Sequence, residues 1–123
     1  MTENKTVILA IDDDQDVLDM VRAILEANGY DMIEATSGKQ GLEVYKENKP
    51  DFVIVDLMME TIDAGMNFAK AIKELGDTPP IYMLTNVGDD MAKNIDYSEL
   101  GVSGVLQKPI NKDSILKIIE ARL

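Results

Sequence analysis

The 123-residue chain has no cysteine, which excludes disulfides, thiolate zinc sites and cysteine nucleophiles. It has no histidine either, which removes the usual general base, the usual transition-metal ligand and every Ser-His-Asp arrangement. Positive charge is scarce: 12 Lys and Arg stand against 23 Asp and Glu, a net charge of −11. A field of that sign repels polyanions, so no direct nucleic-acid binding is expected. No apolar run approaches the roughly 20 residues that a membrane span needs, and the opening Met-Thr-Glu-Asn-Lys lacks the basic and apolar regions of a secretory signal. The expectation is a cytoplasmic protein with no membrane contact. The chemistry left to it is that of carboxylate, ammonium and hydroxyl groups.

With 46% hydrophobic and 28% charged residues the composition is that of an ordinary globular protein. No linker, repeat or composition shift divides it, and a single domain over residues 1–123 is expected. Short β-branched runs alternate with longer segments of helical period, the pattern of a parallel sheet flanked by helices. Five such units fit. Thr6 to Ile11 is a continuous apolar run that stops at Asp12-Asp13-Asp14, as suits a strand buried on both faces. A helix follows with Val17, Met20, Val21, Ile24 and Leu25 on one stripe, and Asn28-Gly29 supplies a left-handed stop.

Asp31 to Ala35 reads as a weaker strand, and Ser37-Gly38-Lys39-Gln40 has capping-box spacing for a second helix that runs to about Asn48. There Lys49-Pro50 breaks it. Phe52 to Val55 is the strongest strand and ends at Asp56. A third helix carries Phe68, Ala69, Ile72 and Leu75 on one side and stops near Gly76. Ile81 to Leu84 forms a fourth strand ending at Thr85. Asp89-Asp90 can cap a fourth helix with a poorly spaced stripe, and Val102 to Leu106 gives a fifth strand ending at Lys108-Pro109. Asn111 caps a last helix in which Ile115, Ile118 and Ile119 alternate with charge.

In an open parallel sheet, ligands bind beyond the carboxyl ends of the strands, where the strand order reverses. The residues at those ends are Asp12 and Asp13, Asp56, Thr85 and Lys108. If their strands are neighbours, three carboxylates, a hydroxyl and an ammonium converge on one pocket. Close carboxylates repel, so one of them takes a proton or the group takes a cation. Mg2+ fits a shallow acidic pocket, because it keeps several waters and uses one or two carboxylates together with phosphate oxygens. Phosphoryl transfer is mostly alignment and charge stabilisation, and the metal, Lys108 and Thr85 can each attend one phosphoryl oxygen. Asp56 is then the nucleophile, forming an aspartyl phosphate.

The ordered set Ile8-Leu9-Ala10-Ile11-Asp12-Asp13-Asp14, Asp51-Phe52-Val53-Ile54-Val55-Asp56-Leu57-Met58-Met59, Ile81-Tyr82-Met83-Leu84-Thr85 and Lys108-Pro109 resembles the receiver domain of bacterial two-component response regulators, in its stand-alone, chemotaxis-regulator-like form. The resemblance implies a flavodoxin-like (βα)5 fold, a doubly wound parallel five-stranded sheet of order 2-1-3-4-5. It implies that Asp13 binds Mg2+ directly (Mn2+ being an alternative), that Asp12 acts largely through metal-bound water, and that the Met58 backbone carbonyl is a further ligand beside Asp56. Asp56 is the implied phosphoacceptor, Thr85 the switch hydroxyl, and Lys108 the phosphoryl contact across a cis bond to Pro109. The implied donor is a phosphohistidine on a sensor histidine kinase or phosphotransfer protein, or a small phosphodonor. The implied output is a downstream protein target reached through the fourth helix, fifth strand and fifth helix. On this reading the protein is not a turnover enzyme and catalyses only its own phosphorylation and dephosphorylation.

Three positions depart from the family pattern. Val105 replaces the usual aromatic, Asn86 the usual small residue after the Thr, and Glu60 a common Pro. They motivate the alternative of a binding-only pseudo-receiver. A second alternative is a haloacid-dehalogenase-like phosphatase with Asp12 as nucleophile and Asp14 as acid, although Asp89-Asp90 precedes Lys108 where that superfamily's acidic pair follows its lysine. An EF-hand reading of Asp12, Asp14 and Asp16 fails, because Val17 stands at the obligatory glycine.

Overall fold

The computed structural model describes residues 6–57, 59, 64–76, 78–85, 101–108 and 110–122. Its elements run β1 (Val7–Ile11), α1 (Gln15–Ala27), β2 (Asp31–Ala35), α2 (Gly38–Asn48), β3 (Phe52–Asp56), α3 (Ala64–Glu74), β4 (Ile81–Thr85), β5 (Gly104–Gln107) and α4 (Lys112–Arg122). All strand pairs are parallel and the order is β2-β1-β3-β4-β5. The helix expected over Asp89 to Leu100 lies outside the described residues, so α4 corresponds to the last expected helix.

The three inner strands are apolar up to the terminal Asp56 of β3 and Thr85 of β4, because helices cover the sheet on both sides. Side chains alternate across it. Leu9, Ile11, Val53, Val55, Ile81 and Met83 face a layer built by Tyr45 of α2 and Phe68, Ala69 and Ile72 of α3. Ile8, Ala10, Phe52, Ile54, Tyr82 and Leu84 face Leu18, Val21 and Leu25 of α1 and Ile115 and Ile119 of α4.

Helix ends follow the sequence signals. Asp14 caps α1, its carboxylate accepting from the Asp16 N–H at 2.9 Å. Ser37 caps α2 by accepting from the Gln40 N–H at 3.1 Å, while the Gln40 side chain accepts from the Thr36 N–H at 2.7 Å. The reciprocal half of the capping box thus reaches one residue further out than Ser37. Asn111 Oδ1 accepts from the Ser114 N–H at 3.1 Å and opens α4. Gly29 ends the α1 turn with φ 85°, and Lys49 holds φ 46° before Pro50.

Two expected core residues lie on the surface. Met20 is 42% exposed at the margin of the α1 apolar stripe, and Leu75 is 54% exposed in the turn that follows α3, which ends at Glu74. The fifth strand begins at Gly104 and not at Val102, which is buried without being part of it. Gly104 is required there by the Tyr82 ring, since an added Cβ would stand 2.5 Å from its Cε2. That ring in turn stacks on Phe52, with centroids 5.5 Å apart.

Candidate functional site

The backbone ladder carries the critical residues to one rim of the sheet. Just past β1, the Asp12 N–H donates to the Ala35 carbonyl of β2 at 3.1 Å. Just past β3, the Leu57 N–H donates to Leu84 of β4 at 2.9 Å, which pins the residue after Asp56. Just past β5, the Lys108 N–H donates to the Thr85 carbonyl at 2.8 Å. Counting back by twos, Asp12 falls with Ala10, Asp56 with Ile54 and Lys108 with Leu106, all residues of the layer under α1 and α4. The three side chains can therefore meet.

They do meet. Lys108 Nζ lies 3.0 Å from Asp12 Oδ2 and 3.3 Å from Asp56 Oδ2, bridging side chains from three strand ends. Asp12 is 1% and Asp56 5% exposed, so the pair of carboxylates is drawn out of water. Asp12 Oδ1 accepts from the Asp14 N–H at 2.9 Å, which fixes its plane. The ammonium approaches Asp12 Oδ2 off the hydrogen-bond direction, leaving this buried oxygen with an ion-pair neighbour but no hydrogen-bond donor. Asp13, exposed, completes the group: one carboxylate oxygen from each of Asp12, Asp13 and Asp56 lies within 4.8 Å of the others.

The electrostatics follow from that crowding. Burial, and after it the Asp12 charge, pushes the Asp56 carboxyl up from 3.8 to about 6, with Lys108 pulling the other way. Burial works against the charge on Lys108, but Asp12 and Asp56 outweigh it and hold its pKa above the ordinary lysine value. One ammonium among three carboxylates leaves a negative surplus. A hard, oxygen-seeking divalent cation fits this donor set and the unsatisfied Asp12 oxygen.

Thr85 is buried at the end of β4, 2% exposed, and its carbonyl holds Lys108 in place. The structure thus brings Asp12, Asp13, Asp56 and Lys108 into one charged cluster, with Thr85 on the adjoining strand end. Met58, Glu60, Asn86 and Pro109 lie outside the described residues. Val105 is 37% exposed on the edge strand. Sequence reasoning missed Gly65, which abuts the backbone of Asp56 and Leu57. A glycine inside an otherwise helical run was the available signal.

A parallel sheet of this order with an acidic, lysine-bridged cluster at its carboxyl rim defines a doubly wound α/β domain whose candidate site lies at the ends of its strands. Comparison with known proteins narrows the class. The sequence profile of the response regulator receiver domain matches residues 8–120. Response regulator MprA of Mycobacterium leprae (strain TN) is 33% identical over 116 residues, 94% of this chain and 50% of that protein. Transcriptional regulatory protein GlrR of Escherichia coli (strain K12) is 32% identical over 123 residues, all of this chain and 27% of that protein. The chain therefore spans half or less of the length of these curated relatives. Among solved structures, the chemotaxis response regulator CheY4 of Vibrio cholerae superposes with a TM-score of 0.85 at 28% identity, covering 98% of this chain and 100% of that one. A response regulator receiver domain protein from Clostridium thermocellum gives 0.85 at 28% identity, covering 95% and 93%. The chain belongs to the response regulator receiver family of two-component systems, and its fold is the flavodoxin-like one expected, with the strand order 2-1-3-4-5.

Proposed function

We propose that residues 1–123 act as one receiver unit that accepts a phosphoryl group on Asp56 and thereby switches a protein-binding surface. The observation that carries this reading is the Lys108 ammonium shared between the buried Asp12 and Asp56 carboxylates at the sheet's carboxyl rim. A carboxylate oxygen of Asp56 attacks phosphorus as the bond from phosphorus to the imidazole nitrogen of a phosphohistidine breaks. The nitrogen keeps the bonding pair, and Asp56 becomes an acyl phosphate. Lys108 leaves its ion pair with Asp56 to meet the arriving phosphoryl oxygens, and Thr85 offers its hydroxyl to another. Asp12, Asp13 and Asp56, with the Met58 carbonyl, are the groups that would hold Mg2+, or Mn2+ in its place. When bound, the ion neutralises phosphoryl and carboxylate charge together.

The donor is a sensor histidine kinase or phosphotransfer protein, and the cytoplasm is the compartment where such a donor meets it. No helix among the described residues is long and apolar enough to cross a membrane. The recipient of the signal is a protein surface, since a net charge of −11 opposes direct contact with nucleic acid by this unit. The unit performs chemistry only on its own Asp56. Asp14, the acid that a phosphatase mechanism would need, is engaged in capping α1, which favours the phosphoacceptor reading.

The test is incubation with Mg2+ and a small phosphodonor. An acid-stable, base-labile phosphate on Asp56 that is lost in Asp56→Asn supports the proposal. Absence of an adduct, with partner affinity indifferent to Mg2+ and beryllofluoride, would instead assign a binding-only role.

A further inference from the structure

Gly65 is the second residue of α3 and is buried. Positive φ occurs at Gly29, Gly76 and Gly101 among the described glycines, so Gly65 is not a glycine for the sake of a left-handed backbone. Within a helix alanine is favoured over glycine by about 1 kcal/mol. What excludes it here is space. An added Cβ would stand 2.5 Å from the Asp56 carbonyl oxygen, 2.8 Å from Leu57 Cα and 2.9 Å from the Leu57 carbonyl oxygen. All three are backbone atoms, which cannot swing aside as the tip of a side chain does.

The bare backbone of α3 is also bonded at this point. The Gly65 N–H donates to the Leu57 carbonyl at 3.0 Å, and the Leu57 N–H donates to Leu84 of β4 at 2.9 Å. Leu57 is therefore gripped from both sides, by β4 at its N–H and by α3 at its carbonyl. Asp56, immediately before it, carries the carboxylate that meets Lys108 at 3.3 Å. We infer that Gly65 is a positioning residue for the phosphoacceptor: its missing side chain seats α3 directly on the Asp56–Leu57 backbone and sets where the Asp56 carboxylate stands relative to Asp12 and Lys108. This rests on reading Asp56 as the phosphoacceptor.

Gly41 of α2 provides the comparison. A Cβ there would also enter the core, but it would meet Ile11 Cδ1 at 2.5 Å, the movable end of a side chain. The two glycines separate core crowding from displacement of the Asp56 backbone.

The experiment takes wild type, Gly65→Ala and Gly41→Ala through four measurements. These are the rate of Asp56 phosphorylation by acetyl phosphate in saturating Mg2+, the Mg2+ dissociation constant, the melting temperature, and the metal-free amide shifts of Asp56 and Leu57. Gly65→Ala is expected to melt as a folded protein, to shift both amides, to bind Mg2+ more weakly, and to phosphorylate on the order of tenfold to a hundredfold more slowly. Gly41→Ala is expected to stay within about twofold of wild type in rate and Mg2+ affinity. The inference is overturned if Gly65→Ala keeps the wild-type rate and amide shifts, if Gly41→Ala loses as much, or if Gly65→Ala fails to fold, which assigns Gly65 to the core alone. If wild type forms no adduct, the phosphoacceptor reading fails instead, and the amide shifts and Mg2+ affinity still decide whether Gly65 positions Asp56.

Discussion

Replacing Asp56 by Asn is expected to stabilise the metal-free protein, although it removes an ion pair with Lys108. The reason is the direction in which the site moves the Asp56 carboxyl, from 3.8 up to about 6. A group whose folded-state pKa is raised favours the folded state in its protonated form, so stability is full below the unfolded value and is lost as pH rises through the folded one. At about 1.4 kcal/mol for each tenfold change in proton affinity, the ceiling on the cost of ionised Asp56 at pH 7 is about 3 kcal/mol. Relaxation of the site around the ionised carboxylate reduces this to about 1–2 kcal/mol. For a chain of this length the gain corresponds to a rise in melting temperature of about 3–8 °C. Lys108 keeps its second partner, Asp12, at 3.0 Å in the variant.

Urea unfolding of wild type and Asp56→Asn at pH 7 and pH 4, each with and without Mg2+, measures the effect. The variant's advantage is expected to be full at pH 7, to shrink to a small fraction at pH 4, and to narrow when Mg2+ is added to both proteins. Equal or lower stability of the variant at pH 7 refutes the reasoning. So does an advantage that persists undiminished at pH 4, because then it does not come from the ionised carboxylate.

Four further outcomes follow from the geometry. Mg2+ at a hundred times its dissociation constant should stabilise wild type by about 2.7 kcal/mol, and Asp13→Asn should reduce that gain, as thermal melts will show. Lys108→Met should cost about 2–4 kcal/mol in chemical unfolding, because it leaves Asp12 and Asp56 buried together without a cation. On the outer face, Arg22 donates to Glu34 at 2.8 Å, and this hydrogen bond holds the Glu34 carboxyl below the ordinary glutamate value. Its contribution is present above 4.5 and fades as pH falls through the lowered value, the opposite sense to Asp56, and Glu34→Gln should cost no more than about 0.5 kcal/mol at pH 7 for a pair about one-third open to solvent. Gly104→Ala should destabilise by about 1–3 kcal/mol, measured by urea midpoint, as the Tyr82 ring is driven off its stack on Phe52.

The sheet was legible because parallel strands buried on both faces are uninterrupted apolar runs, and Ile8 to Ile11, Phe52 to Val55 and Ile81 to Leu84 are such runs. Each ends where a polar residue first reaches the rim, so strand ends and candidate site residues were read from the same signal. Helical period served less well at the margins of the stripes. It places Met20 beside Val21, but a spacing of 100° per residue does not say how wide the buried stripe is; it continues to Leu75, where the helix has already ended at Glu74, and both residues are exposed. Val102 was misplaced for a related reason, since burial alone does not separate a strand from the covered residue that leads into it. The sharing of Lys108 between Asp12 and Asp56, and the approach of Gly65 to Leu57, depend on how distant segments cross in space. The sequence order of those residues suggests neighbours but not distances.

Lys108 has a consequence for how a local charge becomes a movement. The ammonium that two aspartates share is mounted just past a four-residue strand at the outer edge of the sheet, and its own N–H hangs from Thr85. On the proposed reading, a phosphoryl group on Asp56 redistributes the pull on that lysine. That lysine follows the edge strand, where Val105 and Gln107 meet solvent, whereas β1, β3 and β4 are each held between two neighbours. The proposed phosphoacceptor is thus tied, through one ammonium, to a strand that has a neighbour on one side only.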